Sequence, residues 1–67
     1  MIALDMLQEI IEAGYEFRIM PDEQGNRYVE LVPITSQTGQ PVVNFRCEGE
    51  LEAIETAYYE VMKRERQ

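Results

Sequence analysis

Apolar and polar positions alternate along this chain with two different periods, and the switches between them mark five elements. In "ALDMLQEIIEAG" Leu4, Leu7, Ile10 and Ile11 recur at helical spacing, with Ala3 and Gly14 extending the same side. This predicts a helix from about Ala3 to Ala13, ended by Gly14, which has no Cβ to clash in the left-handed region. "YEFRIM" then alternates Tyr15, Phe17 and Ile19 against Glu16, Arg18 and Met20, the period of a strand with one buried face. "PDEQGN" gathers turn formers, and "RYVELVPI" supplies a second strand rich in β-branched and aromatic residues. Pro33 cannot donate to a ladder, so either the strand ends near Val32 or a bulge sits there.

After the polar turn "SQTGQ", the segment "PVVNFRC" reads as a third strand. Val43, Phe45 and Cys47 point one way, and Val42, Asn44 and Arg46 the other. "CEGELEAIETAYYEVMKRERQ" closes the chain as a second helix, with Leu51, Ile54, Tyr58 and Val61 on its apolar stripe and Ala57 and Met62 widening it. Glu48, Glu50 and Glu52 fall at the positive end of its dipole and Lys63, Arg64 and Arg66 at the negative end, each placement worth about 0.3–1 kcal/mol. An i,i+4 pair of Glu60 with Arg64 adds to this. Helix chemistry therefore accounts for most of the charge gradient.

Two short connections between strands imply an antiparallel meander, and two amphipathic helices must cover its apolar face. The expected fold is α+β, a two-layer α-β-β-β-α sandwich spanning residues 1–67 as one domain. Its expected core is Leu4, Leu7, Ile11, Phe17, Ile19, Val29, Leu31, Val43, Phe45, Leu51, Ile54, Tyr58 and Val61. Pairing Arg18 with Glu30 and Glu30 with Arg46 gives hairpin loops of about seven and about five residues and a charged ladder on the open face. Met20, Tyr28, Val32, Ile34 and Val42 would surround that ladder, a candidate interface for a second copy.

The α-β-β-β-α order over the whole chain resembles the double-stranded RNA-binding domain. That family sets a cluster of lysines at the start of its second helix to grip phosphates, and this chain has "EGELEAIE" there. The resemblance is one of layout, and the charge at the decisive place is inverted.

With 67 residues the chain buries only roughly 60% of its unfolded surface, so association with itself or a partner is expected. Thirteen acidic against six basic side chains, a net charge of −7, disfavours nucleic acid and favours basic protein surfaces. A reading that kept nucleic acid would need Arg18, Arg27, Arg46 and Tyr28 to gather as a basic, stacking patch on the sheet. A lone cysteine, no charged segment leading into an apolar run, and no stretch near about 18 apolar residues point to a reducing cytoplasm and away from a membrane.

Catalysis has little to work with. The chain has no histidine, and Cys47 lies on the inward side of a strand, beside a glutamate that would raise its pKa. "DEQGN" lacks the spacing of a calcium loop, and Asp22 and Glu23 are neighbours in a turn. No enzyme activity, metal or cofactor is expected. The acidic spacing is more suggestive: Asp5, Glu9 and Glu12, and again Glu48, Glu52 and Glu55, follow i, i+4, i+7, placing each trio on one side of its helix. Together with Tyr59, about 100° from the apolar stripe, these residues form a candidate surface for a basic protein. The expected role is a small acidic accessory or inhibitory factor of the sort phages and mobile elements carry, with a homodimer as the alternative.

Overall fold

The computed structural model describes residues 3–65 and contains α1 (Ala3–Glu12), β1 (Tyr15–Pro21), β2 (Arg27–Pro33), β3 (Val43–Cys47) and α2 (Glu50–Glu65). Arg66 lies outside the described residues. The strands form one antiparallel sheet in the order β1-β2-β3, and both helices pack on one face of it, giving the expected two-layer sandwich. Phe17, Val29, Leu31, Val43 and Phe45 all point to the helices, as their alternation requires.

Short connections place the helices. Only Ala13 and Gly14 separate α1 from β1, and only Glu48 and Gly49 separate β3 from α2, so each helix doubles back along its neighbouring strand. Gly14 has a φ of 97°, and its N–H donates to the Ile11 carbonyl at 3.0 Å. Its own carbonyl then accepts the Ile34 N–H at 2.9 Å, so the residue that ends α1 also opens the ladder. At the other connection, the Gly49 carbonyl accepts the Ala53 N–H at 3.1 Å, and the Glu52 carboxylate reaches back to the Glu48 N–H at 3.4 Å. The first is the opening helical bond of α2, and the second is half of a capping box, since Gly49 has no side chain to complete it.

The first hairpin has the expected register, with Arg18 opposite Glu30. Asp22 Oδ1 accepts the N–H groups of Gln24 at 2.8 Å and Asn26 at 3.0 Å, an Asx-type turn. The second hairpin departs from expectation. Glu30 faces Asn44, and Arg46 faces Tyr28, a shift of two residues that keeps every side chain on its expected face.

Pro33 explains the shift. It remains in β2 opposite Tyr15, so the strand neither stops at Val32 nor bulges against β1. The bonds Ile34 N–H to Gly14 and Asp22 N–H to Asn26 show that even-numbered residues exchange hydrogen bonds between β1 and β2. The missing N–H of Pro33 therefore lies on the β3 side, past the point where β3 begins. Pairing with β3 starts at Leu31 and Val43, and the segment from Ile34 to Val42 is left as a longer loop.

The core is turned relative to the expected one. Leu4, Ile11 and Leu51 stand 68%, 53% and 59% exposed, whereas Met6, Ile10, Ala53, Ala57 and Val61 are buried. Of the other expected members, Val29, Leu31 and Val61 are buried, while Leu7, Phe17, Ile19, Val43, Phe45, Ile54 and Tyr58 are half-buried. Both helices offered two adjacent apolar stripes, and the sheet selected one from each. On α2 it took Ala53, Ala57 and Val61 at i, i+4 and i+8, because small residues allow the helix axis closest to the strands.

This assignment predicts opposite responses to substitution. Ala57→Leu overfills a closed contact and should destabilise by about 1–3 kcal/mol. Leu51→Ala, at an exposed site, should stay within about 0.5 kcal/mol of the parent. Urea unfolding followed by circular dichroism measures both, and the expected core would require the reverse order.

Candidate interaction surfaces

α2 presents a mixed surface to solvent. Leu51, Glu55 and Tyr59 follow one another at i, i+4 and i+8 with Glu52 beside them, and Leu51, Glu52 and Tyr59 are exposed. Tyr59 is 60% exposed, and its ring meets Tyr58 edge to face at 5.7 Å between centroids. Thr56, Tyr58, Tyr59, Glu60, Met62 and Lys63 line a shallow hollow of about 510 Å³ along the same helix. Two apolar side chains thus flank two carboxylates.

The acidic trios do not persist as drawn from spacing. Glu48 lies in the β3–α2 connection and not on the helix, where it is joined to Glu52 through the capping contact. On α1, Asp5 and Glu12 are exposed, and Gln8 Nε2 donates to Glu12 Oε1 at 3.2 Å. Glu9 is half-buried, and its Oε2 is shielded from solvent without a hydrogen-bond partner. Among the described residues, no three acidic or cysteine side chains converge closely enough to hold a metal ion.

The basic patch on the sheet is not assembled. Arg18 pairs with Glu16, Arg46 with Asp22 at 3.5 Å, and Arg27 approaches Glu50 at 4.0 Å. Arg27 shares strand parity with Val29 and Leu31 on the helix side, so it stands on the opposite face from Arg18 and Arg46. The Arg46 guanidinium also lies 5.4 Å from the centre of the Tyr28 ring, a cation–π contact created by the shifted register. Glu60 pairs with Lys63 at 3.0 Å in place of Arg64, whose guanidinium donates to the Val42 carbonyl at 3.1 Å.

Nor are the five sheet-face residues exposed together as one surface. Val32 is only 4% exposed, with Ser36 and Gly39 of the β2–β3 loop gathered beside it. Ile34 and Val42 are exposed but belong to the two ends of that loop. Met20 is exposed and Tyr28 is half-buried under Arg46. The longer loop, itself a consequence of Pro33, removes Val32 from any face that a partner could reach.

One surface was missed by sequence reasoning. Leu7, Ile11, Tyr15, Phe17 and Ile34, with Glu16, line an apolar groove of about 420 Å³ between α1 and β1. Its signal was present in α1, which has more apolar positions than one buried face can absorb.

Cys47 is buried, and its thiol donates to the Gly49 carbonyl at 3.4 Å. Burial pushes its pKa up, the Glu52 carboxylate adds to the shift, and Arg27 opposes it. No helix among the described residues is long and apolar enough to cross a membrane. No protein-family model, curated protein or solved structure matches the chain.

The thiol environment gives a pH dependence. The folded chain holds the Cys47 proton more tightly than the unfolded one, so above the ordinary thiol value of about 8.5 the unfolded state binds fewer protons. The contribution is fully present at neutral pH and is lost as pH rises through the folded value. Between pH 8 and 10 the urea midpoint should fall further for the parent than for Cys47→Ala. Alkylation of the native thiol at pH 8 should also be slower than that of the urea-unfolded chain.

Proposed function

We propose that this chain is a non-catalytic interaction module of a reducing, cytoplasmic setting, an accessory or inhibitory factor that docks on a basic protein surface. The observation that carries this reading is the outward side of α2, where Leu51 and Tyr59 stand largely in solvent beside Glu52 and Glu55. Large apolar side chains at the centre of a contact supply most of its binding energy, and surrounding charges select and steer the partner. Asp5 and Glu12 extend the negative field along α1. A net charge of −7 accelerates encounter with a basic surface and repels phosphate.

The reading predicts that one partner responds to both kinds of residue. A basic protein captured from host lysate at low salt should be lost with Glu52→Lys/Glu55→Lys and lost again with Leu51→Ala/Tyr59→Ala. Each double variant should keep the parent circular dichroism spectrum, because the four side chains are not core members. Capture should weaken as salt rises, as steering charges are screened. Retention of the same partner by both variants would refute the assignment.

A further inference from the structure

We propose that two copies of this chain pair antiparallel through the free edges of their β1 strands, with Phe17 of each copy on the two-fold axis. This inference stands apart from the α2 surface, which it leaves uncovered.

β1 is an edge strand, and its pairing with β2 is continuous from Tyr15 to Pro21. Since even-numbered residues bond to β2, the N–H and C=O groups of Tyr15, Phe17 and Ile19 point away from the sheet. No described residue pairs with them. Natural edge strands are blunted by bulges, prolines or charged side chains; the proline of β1, Pro21, stands at its end, beyond the Tyr15–Ile19 stretch that the seam uses, and the charges within that stretch, Glu16 and Arg18, are of opposite sign. Beside this edge lies the groove lined by Leu7, Ile11 and Ile34, and Ile11 and Ile34 are exposed.

Charge identifies the occupant. With Phe17 opposite Phe17 of the second copy, Tyr15 faces Ile19, and Glu16 faces Arg18 on both sides of the axis. These last are the close, non-hydrogen-bonded positions, where side chains of opposite sign attract most effectively. The neighbouring symmetric registers place Glu16 against Glu16 or Arg18 against Arg18. Within each chain Glu16 and Arg18 already pair with one another, on the face away from the helices, so both heads lie where the cross-strand contacts would form. Closing the seam also brings the groove of each copy against that of the other, covering Ile11.

Sedimentation equilibrium at moderate salt tests the pairing, and amide hydrogen exchange locates it. The parent should dimerise, and the amides of Tyr15, Phe17 and Ile19 should exchange more slowly as concentration rises. Glu16→Arg alone and Arg18→Glu alone should each weaken the dimer about tenfold, since each converts two attractions into two repulsions. The exchange Glu16→Arg/Arg18→Glu restores opposite charges and should recover the parent affinity to within about threefold. All four side chains involved are exposed, and circular dichroism confirms folding of each variant. A parent that stays monomeric at about millimolar concentration, single reversals without effect, or failure of the exchanged pair to restore dimerisation would overturn the proposal. Loss of partner capture by the α2 variants with dimerisation intact would separate the two surfaces.

Discussion

The close approach of α2 to the sheet governs the rest of the structure. Ala53, Ala57 and Val61 face the strands in one line, and Val29, Leu31 and Phe45 meet them from below. Small residues on the helix permit this proximity, and interiors packed at crystal-like density tolerate no gap where a larger residue is missing. α1 must then lie beside α2 and contribute Ile10 to the same cluster. Once those contacts are set, Leu4, Ile11 and Leu51 have no room inside. Their exposure follows from the packing and marks where the chain has apolar surface left over.

The order of elements was legible because each depends on a local period. Helix to strand changed at Gly14, the first hairpin was fixed by Asp22, Gly25 and Asn26, and alternation assigned the core-facing strand residues to their correct face, although the expected basic patch grouped Arg27 with Arg18 and Arg46 on the other side of the sheet. The second register was not legible. Pro33 signalled a conflict without indicating how it would be resolved, because the outcome depends on which neighbour its absent N–H would have served. That parity is set by β1 pairing, a nonlocal fact. Similarly, periodicity pointed to Leu51, Ile54, Tyr58 and Val61 as the buried stripe of α2, whereas the sheet took Ala53, Ala57 and Val61, because the preference for alanine at the closest contact appears only when a sheet is present.

The candidate sites fared according to the same division. Part of the expected charge gradient lies on α2, with Glu50 and Glu52 in its first turn and Lys63 and Arg64 in its last, but Glu60 pairs with Lys63 and Arg64 turns to the Val42 carbonyl. Spacing alone could not show that Glu48 precedes the helix or that Glu9 is half-buried, since both depend on where α2 begins and how α1 is turned. Tyr59 was placed correctly because it sits far enough from the apolar stripe that rotating the buried face leaves it in solvent.

These features distribute the surfaces unevenly. The open face of the sheet is partly used by the chain itself: Val32 is enclosed near the β2–β3 loop, and Tyr28 is engaged by Arg46, which Asp22 also holds. What remains is the outer side of α2 and the seam between α1 and β1. A net charge of −7 opposes indiscriminate association of copies, so any stable contact must bring compensating geometry. Under the proposed function, the α2 surface offers that compensation to a basic partner, through carboxylates set between two apolar anchors. Under the proposed pairing, the β1 edge offers it to another copy, through directed main-chain groups and charges that are complementary only in one register. The same acidic character that discourages nonspecific contact therefore sharpens the difference between these two proposed uses.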